Sequence, residues 1–300
     1  MMKTNSNTLI YSILVLLLLL LTASFVYEWG FKERVEPVNM KPDASGEMVS
    51  PPFPPSFDHP LGTDRNGNDL SLRILNGAKY TLIFVFGVGL LRVVFSIVLG
   101  ALLTFTWKPV KKLTETFLQP YINIPAFILV YFLAFAFLLI DETHGMVPLM
   151  SFQFLVLTLV GIPPLLMVFS KEFGEILKME YIHASFQLGA SKSHIVLKHI
   201  IPVLKPRLMI VLLQQMISAL ILLLHLGVFQ IFIGGDLEGG IIGADEDLFL
   251  SKSGEWAGMV GQSISDLVTA PWIVLAPSLA FVLLILLLNI MIRQVDAKIV

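Results

Sequence analysis

Six long runs of mostly apolar residues, 9–27, 80–107, 119–140, 149–170, 208–233 and 272–292, punctuate this chain. A helix needs about 20 such residues to cross the ~30 Å hydrocarbon core of a bilayer, and each run is of that order. Little polar sequence is left from which to build a water-facing surface. Of the 300 residues 56% are hydrophobic and 14% charged, with a mean hydropathy of +0.82, against about 25% charged in soluble domains. No series of alternating ten-residue strands marks a closed barrel, so helices are the spanning solution, because lipid satisfies no backbone N–H or C=O. The expected fold is an all-α polytopic membrane protein with six transmembrane helices. The first run has one lysine before it and no A-x-A site after it, and reads as a retained helix rather than a signal peptide.

Lys and Arg in the connecting loops set the orientation. With the N-terminus inside, the inner segments hold twelve basic and five acidic residues and the outer segments seven and seventeen. The short loops agree, "KPVKK" falling inside and "DETHG" outside. Both termini and the loop 171–207 are then expected to be cytoplasmic. Tyr11, Tyr27, Trp29, Trp107 and Trp272 fall at expected membrane interfaces. The net charge of −2 makes no case for nucleic acid, and zero cysteines exclude disulfides, thiol nucleophiles and Cys-based metal sites. Two outer segments are sizeable. Residues 28–79 contain "SPPFPPSFDHP", which reads as an extended, stiff connection, and 234–271 is glycine-rich and acidic. The chain divides into residues 1–79, an N-terminal helix plus an external Pro-rich segment, and residues 80–300, a five-helix core that includes 171–207.

Loop 171–207 is unusually ordered in its pattern. Phe173, Ile176, Leu177, Tyr181, Ala184 and Leu188 recur at helical spacing and form one face, so a first helix is expected from near Lys171. Gly189 suits a helix C-terminus, Ser191 a second N-cap, and Pro202 an end or bend before the next span. Two helices joined at a sharp corner follow. Periodicity alone leaves two roles open, an amphipathic helix on lipid headgroups or a helix for a partner's groove.

The residues themselves carry a resemblance. "EYIHASFQLGAS" is similar to "EYVEAARALGAS", and "KHIIP" to "RHILP", in the EAA loop of ABC importer permeases of the dipeptide, oligopeptide and nickel branch. His183, Ala184 and Ser185 occupy the E-A-A places, Gly189 the glycine and Pro202 the closing proline. "HPLGTDRNGNDLSLRILNGAKYTL" (59–82) resembles "HPLGTDxxGRDxxSRLLYGARxSL" of the C-type subunit, and residues 256–291 and "INIPAFIL" (122–129) are similar to its later segments. The resemblance implies the type I importer permease fold in a bacterial cytoplasmic membrane. It implies a half-channel that pairs with a homologous B-type permease, two ABC ATPases and an extracytoplasmic substrate-binding lipoprotein. Glu180, Tyr181, His183, Ala184, Ser185, Gly189, Ala190, Ser191, His199 and Pro202 would then form the element that couples to an ATPase. ATP and magnesium would sit in the partners, and this chain is expected to bind no cofactor. His183, Ser185, Asn68, "GIPPLL" and the glycine-rich outer loop depart from the pattern.

Other residues keep two readings each. Arg92 lies mid-span, where a charge is expensive; it lines the pathway, pairs with a subunit or snorkels from an overlong segment. Gln214, Gln215, Ser218 and His225 bind solute or bond between helices, with Gln214 and Ser218 assigned to the pathway. Pro163 and Pro164 are expected to break the fourth span, a break that lines a cavity or is simple helix geometry, and Pro163 is assigned with Arg92 to the pathway. No phosphate loop, G-x-S-x-G or H-E-x-x-H occurs, so no catalytic residue is assigned. His183, His194 and His199 lack acidic or cysteine ligands, and Asp236, Asp245, Glu246 and Asp247 read as a solvated acidic loop that fails calcium-loop spacing. A non-transporting scaffold of the same fold, or an importer of nickel or another small solute, is the alternative. A secondary transporter is disfavoured because the span interiors hold no Asp or Glu.

Overall fold

A computed structural model describes residues 6–42, 47–140, 146–237 and 249–298; "DETHG" and the carboxylates of Asp236, Asp245, Glu246 and Asp247 lie outside the described residues and side chains. Helices dominate. α1 covers Ser6–Gly30 and α2 Leu70–Thr104. Thirty-five residues make α2 about 50 Å long, well beyond the ~30 Å apolar core. It starts ten residues before the apolar run, because Asp69 caps it: the carboxylate accepts from the backbone N–H groups of Ser71 (2.7 Å) and Leu72 (3.2 Å). The boundary drawn at residue 79 therefore falls inside a helix.

The third apolar run is not one straight span. α3 (Lys108–Ile122) and α4 (Ala126–Ile140) meet at 85°, so residues 119–122 belong to an amphipathic surface helix rather than to the span. Pro125 causes the break, since the residue before a proline is pushed out of helical geometry. α3 buries no residue and leaves Val110, Leu113 and Phe117 exposed. Among the described residues five helices are long and apolar enough to cross a membrane, or six with the bent pair counted as one.

α5 (Met146–Ile176) runs through Pro163 and Pro164 without breaking, against expectation. The short helices α6 (Glu180–Gln187) and α7 (Lys192–Ile195) follow, then a π-turn at Val196–Ile200 and α8 (Ile201–Val228). α9 (Trp256–Gln262) and α10 (Pro271–Asp296) complete the chain. α2 packs on α5, α8 and α1, and α8 packs on α9 and α10. The main core lies among these helices, with Val85, Val88, Leu157, Leu220, Phe281 and Leu288 at its centre.

The outer segment is folded, not an extended strut. A two-residue hairpin pairs Lys41–Pro42 with Met48–Val49. Beyond it, Asp64 accepts from the N–H groups of Asn66 and Asn68 (2.9 and 2.8 Å), from the Asn68 amide and from Arg73. That knot is fastened to the start of α10, where Trp272 Nε1 donates to the Thr63 carbonyl (3.2 Å) and Arg65 Nε to Asp266 (2.6 Å). Gly62, at φ +80°, lies so close to the Trp272 ring that a Cβ would overlap it. At the opposite end Lys298 donates to Asn7 and Thr104 faces Ser170. Asn7, Lys298 and loop 171–207 thus share one end of the bundle, and residues 31–42, 47–69, 229–237 and 249–270 the other.

Candidate functional site

The hairpin at the basic end is built from local rules. α5 stops at Ile176, three residues turn the chain, and Met179 in extended geometry starts α6. At the far end Gly189 adopts φ +87°. Its N–H donates to Phe186 O and that of Ala190 to Ser185 O, both at 3.0 Å, which is the paired closure of a Schellman C-cap. Ser191 then caps α7 by accepting from the His194 N–H (3.2 Å). The expected corner is present.

Two expectations change. The helical face read across 171–188 spans two helices. Phe173 and Ile176 sit in the core at the end of α5, while the turn resets the phase and α6 buries only Ile182. Pro202 does not end the second arm, which continues into α8. The π-turn just before it is closed by the Ile201 N–H donating to Val196 O, and Pro202 follows in the first turn of α8, where a proline is tolerated.

As a result α6 turns its apolar side chains outward. Tyr181, Phe186 and Leu188 are exposed, Leu188 at 90%, and Met179 and Leu197 extend the patch. Glu180, His183, Ala184, Gly189, Ser191 and Pro202 are also exposed, whereas Ser185, Ala190 and His199 are half-buried. The assigned residues separate accordingly into those that present a surface and those that hold its shape. Ser185 Oγ lies 3.1 Å from His199 Nε2, and the His199 ring stands 5.9 Å from Tyr181 and 5.8 Å from His194. The serine at the second alanine place of the motif therefore ties α6 to the π-turn. Met179, Phe186 and Leu197 were not singled out from sequence, because the turn and the π-turn shift the helical phase that periodicity relies on.

Deeper in the bundle, Arg92 is 2% exposed. It does not snorkel. Its Nε and Nη2 donate to the Leu157 carbonyl (3.1 and 2.7 Å), and Nη1 lies 3.4 Å from Gln215 Oε1. It thereby joins α2, α5 and α8. Gly161 makes the room, since a Cβ there would overlap the guanidinium. The same region explains why α5 survives two prolines. Pro164 cannot donate to the Val160 carbonyl, and the Tyr121 hydroxyl supplies that bond at 2.9 Å. Ser96 donates to Ile162 O nearby (3.3 Å).

Gln215 also walls a cleft of about 560 Å³ with Pro164, Val168, Arg207, Gln214 and Asp296. Arg207 also pairs with Glu172, Nη2 to Oε1 2.6 Å. Gln214 and Ser218 are exposed one turn apart on α8, so this spanning helix carries a polar stripe on its outer face. His225 is turned elsewhere, its Nδ1 2.6 Å from Ile221 O and its ring stacked on Phe127.

The bundle is multi-pass and carries a protruding, glycine-cornered hairpin between two spans. The model of the family described as binding-protein-dependent transport system inner membrane component matches residues 93–300, and the chain belongs to that family. It is thus the permease component of an ABC importer, a multi-pass protein of the bacterial plasma membrane. The chain is 29% identical over 151 residues to the inner membrane ABC transporter permease protein YejE of Escherichia coli, a match covering 50% of this chain and 42% of YejE. It is 26% identical over 281 residues, 92% of this chain and 82% of the relative, to a Brucella suis protein whose name gives it as a peptide transport system permease. A Brucella melitensis protein of the same description matches equally.

Proposed function

We propose that this chain is a C-type permease subunit of a peptide-type importer, forming half of the translocation pathway and converting closure of its ATPases into alternating access. The names of the Brucella relatives support the solute class. The observation that carries the coupling role is the exposed apolar face of α6. Tyr181, Phe186 and Leu188 project from a helix held at a fixed corner, and an amphipathic helix seated in a groove is a recurrent mode of recognition. The groove would belong to one of two ABC ATPase subunits, which hold the ATP and magnesium. A homologous B-type permease would cover the polar stripe at Gln214 and Ser218, and an extracytoplasmic substrate-binding lipoprotein would deliver solute at the opposite end. Closure of the ATPase dimer would move the docked hairpins, and with them the rigid α5 and α8, between two packings. Arg92 would act in this scheme as a rivet joining the moving helices rather than as a lining residue.

The test is co-purification in mild detergent. Leu188→Glu should cost ATPase association at least tenfold while the permease keeps its thermal stability, because the residue is 90% exposed. Retained association in that variant, or a wild-type chain that brings down no ATPase, overturns the coupling role.

A further inference from the structure

On the side of the bundle formed by α1, α2 and α5, near the end that carries residues 47–69, a cleft of about 560 Å³ opens outward. Its floor is Phe84 packed edge-to-face on Phe154, with centroids 5.3 Å apart. Phe25 and Ile83 form one wall, Val147 and Met150 the other. Ile83 and Val147 are exposed, so the groove is open along its length. α1 leans on α2 and α10 and does not close it. Because these three helices are membrane spans, the mouth faces lipid, and an apolar groove there is filled by hydrocarbon.

One end of the groove is polar, and its groups are sorted by depth. The Lys79 side chain is 3% exposed and turned inward. Its ammonium donates to Asn76 O (2.8 Å) and Asn76 Oδ1 (2.6 Å) and stands 3.3 Å from Glu28 Oε2. Glu28, by contrast, is 26% exposed, and Ser151 opens at the same rim. The cation is buried, and what faces the headgroup layer is a carboxylate. The carboxylate, held by Lys79 and by the Tyr80 side chain, complements a donor-rich ammonium, and exposed Lys32, close enough to act electrostatically on Lys79, offers a cation to the phosphate of the same zwitterionic headgroup.

We propose that this groove is a specific phospholipid site, taking one acyl chain over Phe84 and Phe154 and an ethanolamine headgroup against Glu28. The lipid would fill the gap between α1 and α5 and fix the N-terminal helix against the core. The site is separate from the hairpin, and its test needs no transport assay.

The test places the photoreactive p-benzoylphenylalanine at position 83 in the full chain, assembled with its partners, in nanodiscs of phosphatidylethanolamine and phosphatidylglycerol. Irradiated complexes are then weighed by mass spectrometry. Phosphatidylethanolamine adducts should exceed the share of that lipid in the disc about threefold or more. Glu28→Gln should return the ratio to the bulk value without lowering total adducts, since Lys79 keeps both Asn76 acceptors. Met150→Trp, which fills the groove, should lower total adducts severalfold, and it carries the test alone should Glu28→Gln fail to assemble. Adducts in bulk proportion would mean ordinary surrounding lipid and overturn the proposal. Adducts to a protein chain would overturn it too, showing that a subunit covers the groove.

Discussion

A cation in the middle of a membrane bundle must be held by dipoles when no carboxylate is near, and Arg92 meets that condition. Among the described residues its partners are one helix carbonyl and one amide. Their grip depends on the absent side chain of Gly161, because a Cβ there would overlap the guanidinium. Gly161→Ala should therefore destabilise the protein by about 1–3 kcal/mol through overpacking. The cost should shrink by at least about 1 kcal/mol in an Arg92→Ala background, since contacting residues are not additive. Denaturation of the four proteins of that cycle in detergent checks it, and additive losses would remove Arg92 as the reason for the glycine. Glu255 poses the opposite case at the other end of the bundle. It is 1% exposed, its Oε1 is 3.3 Å from the Ile233 N–H, and its Oε2 has no partner among the described residues. Burial raises its pKa from 4.5 to about 7, against smaller opposing effects from backbone N–H groups. The folded state therefore keeps a proton that the unfolded chain loses near 4.5. The resulting stabilisation is complete below that pH and is lost as pH rises through about 7, a differential on the order of 3 kcal/mol. Hydrogen exchange in 229–235 and 251–262 should quicken from pH 5 to pH 8 beyond its intrinsic pH dependence. Glu255→Gln should abolish that excess, and an excess unchanged in the variant would assign it to another group.

At the scale of elements, what was legible in the sequence followed from apolar length and from a few turn residues. Five of the six apolar runs are single helices whose ends shift by up to ten residues, the third is bent, and Gly189 and Ser191 do what their types dictate. What was not legible came from tertiary partners. The Tyr121 hydroxyl lets α5 pass Pro164, and a residue thirty-nine positions away leaves no mark in a local pattern. Asp69 starts α2 ten residues early through a cap that the apolar count ignores. The face read across 171–188 was a true periodicity over a false continuity, because the turn at 177–179 swings its second half outward. The hairpin also contains a bond that no pattern announces, between Ser185 and His199. Removing it by Ser185→Ala should cost about 1 kcal/mol of local stability, as for an ordinary hydrogen bond. Amides of 180–190 should then exchange about fivefold faster, with those of α5 unchanged. Equal exchange in both proteins would make the contact incidental.

For the whole molecule, two independent lines bear on sidedness. Packing puts Asn7, Thr104, Ser170, loop 171–207 and Lys298 at one end and residues 31–42 and 47–69 with 229–237 and 249–270 at the other. Packing says nothing about which end faces the cytoplasm; the excess of Lys and Arg in the first group does. The absence of cysteine makes the pair of claims separable, since each introduced thiol is unique. Ser193→Cys in the hairpin, Ala297→Cys after α10 and Phe57→Cys in the outer segment all fall at exposed positions. In intact cells a membrane-impermeant maleimide should label only Phe57→Cys, and permeabilisation should add the other two. Labelling of Ser193→Cys and Ala297→Cys alone would reverse the charge reading and leave the fold standing. Labelling of Phe57→Cys together with Ser193→Cys from the same side would break the bundle itself, because α2 and α5 run parallel and α8 antiparallel to both, which sets those two segments at opposite ends.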